Sequence, residues 1–198
     1  MNHQAFLFDF DGVLCKGRFY EGSLLYKYSE AYDWIQKSIF SNHDLVGKWM
    51  RGIINSDDIN KIIFENTETD YNLLKELYEE SVRKMKLEEE VLDLAKSLKN
   101  SGAKIGIVTD NMDVFFQITV RNHNLDNLFD VIINSADHGI LKRDDNGRLF
   151  DIALDNLGEK IENSLMIDDS MSTIELYKQK GGQGFLYKSL SGLESFLK

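Results

Sequence analysis

The sequence predicts an α/β fold: a parallel, Rossmann-like sheet with helices on both faces, plus a small all-helical domain. Three observations predict it. Short apolar segments alternate with amphipathic helical ones through the second half of the chain, the pattern of strands joined by helical crossovers. A first apolar segment, Phe6-Leu7-Phe8-Asp9-Phe10-Asp11-Gly12-Val13-Leu14, stands alone near the N-terminus. Between them, residues 23–85 carry helical periodicity that no strand signal interrupts. The boundaries expected from these changes are 1–14 and 88–198 for the α/β core and 15–87 for the helical domain.

Taken in order, Phe6, Leu7, Phe8 and Phe10 suit a buried strand, and alternation places Asp9 and Asp11 on one side of its end. Two acids this close repel, and the neighbouring phenylalanines desolvate them, so a cation, a shared proton or solvent must compensate. A helix-loop-helix calcium site does not fit. With Asp9, Asp11 and Gly12 in its third, fifth and sixth positions, Leu7 and Arg18 would stand where oxygen ligands are needed. Cys15 is not a cysteine-phosphatase nucleophile either, since the sixth residue after it is Glu21 rather than arginine. It is expected to be a packing residue.

The helical block begins with Leu24, Leu25, Tyr28, Tyr32 and Ile35 at three- and four-residue spacing. Further runs follow around residues 45–50, 59–64 and 71–78, with Ser56-Asp57-Asp58 and Thr69-Asp70 as expected N-caps. Val91, Leu92, Leu94, Ala95 and Leu98 then form a helix closing at Asn100-Ser101-Gly102. A strand is expected over 104–109, a helix over 112–123, a strand over 129–134, a helix over 149–157 and a strand over 164–169. A helix over 172–180 and an apolar run over 184–187 complete the pattern.

A chain of 198 residues is long enough to bury a real core. Its net charge of −10 argues against a nucleic-acid binder, which would present a basic stripe. One cysteine excludes an intramolecular disulfide framework, and His3, His43, His123 and His138 show no metal-ligand spacing with it. No apolar run approaches a membrane span and no signal pattern opens the chain, so a cytoplasmic protein is expected. No Gly-x-Gly-x-x-Gly turn follows a strand, which removes the dinucleotide fingerprint.

Parallel sheets bind ligands at the carboxyl ends of their strands. Asp9 and Asp11 end the first strand, Thr109 the second, and Asp168 and Asp169 the fourth, while Lys142 follows the third. Each alone has an ordinary reading, as a helix cap or a solvated surface residue. Their coincidence at one sheet edge points to a site.

This order resembles the haloacid dehalogenase-like superfamily. Its four motifs correspond here to Asp9-Phe10-Asp11-Gly12-Val13, Thr109, Gly139-Ile140-Leu141-Lys142 and Asp168-Asp169, and the likeness spans the whole chain. The helical block resembles the cap of the first subfamily, and residues 47–55 are similar to a helix and turn common in such caps. Two departures are visible: Arg143 replaces the usual proline after the third-motif lysine, followed by a lengthened Asp144-Asp145-Asn146-Gly147 loop, and Thr173 stands where a later acid can occur.

The resemblance implies that Asp9 is the nucleophile and Asp11 the general acid and base. It implies Mg2+ held by Asp9, Asp11 (through its backbone carbonyl), Asp169 and Asp168. Thr109, the N–H of Asp110 at the start of the next helix, and Lys142 would bind the phosphoryl group. The expected function is hydrolysis of a small phosphorylated metabolite through an aspartyl-phosphate. A phosphomutase using the same motifs and a binding module that lost activity are the alternatives. Lys16, Arg18, Lys48, Trp49 and Arg51 are candidates to read the leaving group, although charges on such helices are commonly solvated.

Overall fold

The computed structural model describes residues 3–17, 19–22, 24 and 27–198. Leu25, an expected helical position, and Arg18, a candidate to read the leaving group, lie outside them. Strands β1 (Ala5–Phe8), β2 (Lys104–Thr109), β3 (Val131–Asn134), β4 (Ser164–Asp168) and β5 (Gln183–Leu186) form one parallel sheet in the order β3-β2-β1-β4-β5. The N-terminal strand is therefore central, and its alternation explains why. Phe6, Phe8 and Phe10 enter one core with Val91, Ala95, Phe115 and Leu193. Ala5 and Leu7 enter the opposite core with Phe150, Ala153, Ile174 and Tyr177. A strand buried on both faces needs an apolar residue at every position, which this one has.

Register makes the strand ends level. Phe8 lies opposite Ile107 on β2 and Ile167 on β4, so the residues just beyond, Asp9, Thr109 and Asp168, gather at one edge. Helices α1 (Ser29–Ile35), α2 (His43–Met50), α3 (Ser56–Asn66) and α4 (Tyr71–Arg83) lie between β1 and β2 in sequence. They enclose a separate core of Tyr20, Ile35, Trp49, Ile59, Ile63, Leu74, Tyr78 and Val82. Met112 and Val114, just after β2, complete that core, so the helical segment is seated on the loop that leaves the sheet edge.

The remaining helices are α5 (Glu89–Asn100), α6 (Arg121–His123), α7 (Leu125–Leu128), α8 (Ser135–His138), α9 (Arg148–Leu157), α10 (Met171–Gln179) and α11 (Leu190–Leu197). Four local differences from the expectation have physical causes. Asn55, rather than Ser56, caps α3 in a reciprocal box with Asp58, because the Ser56 hydroxyl is engaged elsewhere. The helix expected over 112–123 starts with a π-helical stretch at Phe115–Val120, and left-handed Asn124 (φ 51°) breaks it before α7. Strand β3 consequently begins at Val131 rather than Phe129. Helix α11, capped by Ser189, was not expected; its signal is the spacing of Leu190, Leu193 and Leu197. Among the described residues no helix is long and apolar enough to cross a membrane.

Candidate active site

The backbone after β1 pairs for one residue more, Asp9 N–H donating to the Ile167 carbonyl at 2.9 Å, and then turns. Gly12 (φ +80°) makes the turn, closed by bonds from Gly12 N–H to the Cys15 carbonyl (2.7 Å) and from Cys15 N–H to the Phe10 carbonyl (2.9 Å). A Cβ at Gly12 would lie 2.1 Å from Asp169 Oδ2, so both the backbone angle and the approach of Asp169 require glycine. Phe10 anchors the turn edge-on against Phe115, with ring centroids 4.8 Å apart. Cys15 is fully buried and its thiol is pushed up to about 11 by that burial, in keeping with a packing role.

Lys142 lies between the first and fourth strand ends. Its Nζ is 2.8 Å from Asp9 Oδ2 and 2.7 Å from Asp168 Oδ2, and its side chain is 5% exposed. The loop that carries it has Arg143 where the resemblance leads one to expect proline, and it is fixed by two aspartates. Asp110 Oδ1 accepts from Lys142 N–H (2.7 Å), and Asp144 Oδ2 accepts from Leu141 N–H (2.9 Å). The other oxygens of Asp9 and Asp168 accept from Phe10 N–H (2.8 Å) and Ser170 N–H (2.7 Å).

Carboxylate oxygens of Asp9, Asp168 and Asp169 all lie within 4.8 Å of one another, and Asp169 is the exposed member. Three hard oxygen donors beside a single lysine form a donor set suited to a divalent cation such as magnesium. Burial is the main influence on Asp9 and raises its pKa; Lys142 opposes this and Asp168 adds to it. Asp11 is pushed up to about 7, again mainly by burial, with Lys142 lowering and Asp169 raising it. Burial alone would favour a neutral Lys142, but the combined attraction of Asp9, Asp168 and Asp110 outweighs it and keeps the ammonium charged.

Thr109 is fully buried, and its hydroxyl has no hydrogen-bond partner among the described residues. Such an orphan is costly unless an incoming acceptor oxygen satisfies it. The expectation of a helix start at Asp110 is corrected. Regular winding begins only at Phe115, so no helix terminus supports the Asp110 N–H. Instead, the intervening residues make side-chain contacts. Asn111 Nδ2 donates to Asp11 Oδ2 at 2.8 Å, a bond that sequence reasoning did not identify.

The positions proposed to read a leaving group divide. Lys48 pairs with Asp44 on an exposed helix face and Lys16 with Glu88, as solvated charges do. Trp49 is fully buried and Arg51 makes a two-pronged pair with Asp144, at 2.8 and 3.0 Å. Both attach the helical segment to the core. Asp113 does so more tightly: its Oδ1 accepts from Trp49 Nε1 (3.1 Å), Ser56 N–H (3.1 Å) and Ser56 Oγ (2.6 Å). Arg18 lies outside the described residues. The signal for Asn111 was the polar run Thr109-Asp110-Asn111 at a strand's carboxyl end, and Asp113 follows one residue beyond the apolar Met112.

A comparison with functionally curated proteins gives no match. Among solved structures, a HAD family enzyme from Bacteroides thetaiotaomicron is similar to this chain with a TM-score of 0.77 at 14% identity, over 100% of both chains. Its complex with magnesium and inorganic phosphate gives 0.74 at 13% identity, over 96% of this chain and 98% of that one. The L-2-haloacid dehalogenase of Xanthobacter autotrophicus gives 0.68 at 14% identity, over 98% and 82% respectively. These likenesses concern the fold. A family model described as haloacid dehalogenase-like hydrolase matches residues 3–178, from the strand that carries Asp9 to the helix after Asp168 and Asp169. The chain therefore belongs to the haloacid dehalogenase-like hydrolases.

Proposed function

We propose that the chain is a magnesium-dependent phosphatase of small phosphomonoester metabolites, working through an aspartyl-phosphate on Asp9, with residues 15–87 as a cap over the strand ends. The observation that carries this reading is the meeting of Asp9 and Asp168 on the buried ammonium of Lys142, with Asp11 on the adjoining turn. A carboxylate attacking a phosphate dianion meets charge repulsion that must be neutralised. Asp9, Asp169, Asp168 and the Asp11 carbonyl would hold magnesium, which would supply most of that neutralisation. Lys142 supplies the rest. Two of its three N–H donors are directed at Asp9 and Asp168, and the third serves a phosphoryl oxygen.

The buried Thr109 hydroxyl and the Asp110 N–H take further phosphoryl oxygens. Asp9 forms a bond to phosphorus as the bond to the leaving oxygen breaks, and Asp11 gives that oxygen its proton. Asp11 then takes a proton from the water that attacks the aspartyl-phosphate, releasing phosphate and regenerating Asp9. A proton donor with a pKa of about 7 is well matched to this exchange near neutral pH. Asp11 also separates this reading from dehalogenation, because a halide leaves without needing a proton. The magnesium and phosphate bound by the Bacteroides relative support the same choice.

Phosphate release from sugar phosphates, nucleotides, phosphoglycolate and flavin mononucleotide, measured with and without Mg2+, tests the proposal. Asp9→Asn is expected to abolish turnover and Asp11→Asn to reduce it by about 10² or more. Absence of magnesium-dependent release from every ester would defeat the reading, and dependence on a sugar bisphosphate activator would point to a mutase.

A further inference from the structure

We infer that Asn111 and Ser135 are positioning residues that couple the seating of the helical segment to the alignment of the Asp11 carboxylate; this rests on the phosphatase reading above. Asn111 is 2% exposed, and its amide orientation is fixed from both ends. Nδ2 donates to Asp11 Oδ2 (2.8 Å) while Oδ1 accepts from Met112 N–H (2.9 Å). A flipped amide would set oxygen against carboxylate and NH2 against N–H, so only one orientation satisfies both neighbours.

The backbone N–H of Asn111 donates to Ser135 Oγ at 3.0 Å. That hydroxyl, on fully buried Ser135 at the start of α8, lies 2.6 Å from the Met50 carbonyl at the end of α2 and 3.2 Å from the Asn111 carbonyl. A hydroxyl has one hydrogen and can serve only one of these two acceptors. With the helical segment seated, the nearer Met50 carbonyl receives it. Once Met50 withdraws, the Asn111 carbonyl becomes the remaining acceptor, and the residue holding Asp11 is drawn toward Ser135.

Neighbouring contacts prevent the surroundings from absorbing that shift. The Gly52 backbone is pressed against the Ala136 carbonyl, where a Cβ would stand at 2.5 Å, and Asp113 is held by Trp49 and Ser56. The acid–base carboxylate is thereby aligned while the segment that excludes water is in place.

The test exploits the leaving group. Nitrophenolate departs readily without a proton, whereas an alkoxide requires one, so a misaligned Asp11 penalises alkyl esters selectively. Asn111→Asp keeps the acceptor for Met112 N–H and removes the donor to Asp11. For this variant we expect the loss in kcat/KM on an alkyl phosphate to exceed that on p-nitrophenyl phosphate by about tenfold or more. Ser135→Ala should show the same selectivity with a raised KM, and Ser135→Thr, which retains the hydroxyl, should restore the alkyl ester. Equal losses on both esters, in variants whose circular dichroism matches the wild type, would overturn the inference. Asn111→Ala replaces the aspartate variant if that one does not fold. A wild-type protein inactive on both esters would instead count against the phosphatase reading itself.

Discussion

Replacing Asp113 tests how the helical segment is held, because one carboxylate oxygen there accepts three hydrogen bonds from buried donors. Trp49 is fully buried and Ser56 is 6% exposed, so none of the three can turn freely to water. In Asp113→Ala the Ser56 hydroxyl keeps Tyr78 Oη at 3.2 Å, and Trp49 Nε1 keeps Ser56 Oγ at 3.2 Å. Ser56 N–H, in the first turn of α3, has no intrahelical acceptor to fall back on. A hydrogen bond to a charged group contributes about 1.5–3 kcal/mol. One full loss and two partial ones therefore give about 3 kcal/mol. At about 2–4 °C per kcal/mol for a chain of this size, the melting temperature should fall by about 6–12 °C. Asp113→Asn keeps an acceptor oxygen and the shape, so it should lose about 1 kcal/mol, or about 2–4 °C. Calorimetric melts of both variants at neutral pH decide the matter. A fall below about 2 °C for alanine, or equal falls for the two substitutions, would refute the reasoning.

Three further outcomes are expected. Lys142→Met leaves Asp9 and Asp168 without their buried partner; it should eliminate turnover and cost about 3–5 kcal/mol at pH 8, and an unchanged melting temperature would contradict this. Gly12→Ala forces a side chain into a left-handed turn and against Asp169, so titration calorimetry should show magnesium affinity reduced by about tenfold or more; wild-type affinity would exclude that contact. The folded pKa values of Asp11 (about 7) and Asp9 are raised above their ordinary 3.8. Their stabilising contribution is therefore complete below pH 3.8 and lost as pH rises through the folded values. Magnesium, which binds the carboxylates, should consequently raise the melting temperature more at pH 8 than at pH 5.5, and an equal gain at both would argue against it.

The sheet was legible because its strands carry their own periodicity: Phe6, Phe8 and Phe10 mark one core face, and the acids interrupting them mark where the strand ends. Thr109, Lys142, Asp168 and Asp169 were singled out by applying the strand-end rule to a correctly ordered βα pattern. Asp113 and Ser135 were not, since their partners, Trp49, Ser56 and Met50, belong to a segment far away in sequence. No local pattern encodes such a contact. Ser56 shows the same limit from the other side. Its sequence neighbourhood reads as an N-cap, but tertiary demand from Asp113 takes its hydroxyl and Asn55 assumes the cap.

The late start of the helix after β2 has the same origin. Thr109 keeps a buried hydroxyl, unpartnered among the described residues, at the strand end, Asp110 accepts from the Lys142 loop, and Asn111 reaches Asp11 on the β1 turn. Met112 enters the core of the helical segment, and Asp113 accepts from Trp49 and Ser56. Of these five consecutive side chains, the first three serve the sheet edge and its loops and the last two serve the helical segment. An α-helix would bring the first and last of them onto one face, whereas their partners belong to the sheet edge and to the helical segment. The stretch must therefore stay irregular, and winding waits until Phe115, whose ring returns to Phe10 between the two acids. Because one short backbone carries all these contacts, the coupling inferred between the helical segment and the Asp11 carboxylate has a direct physical route.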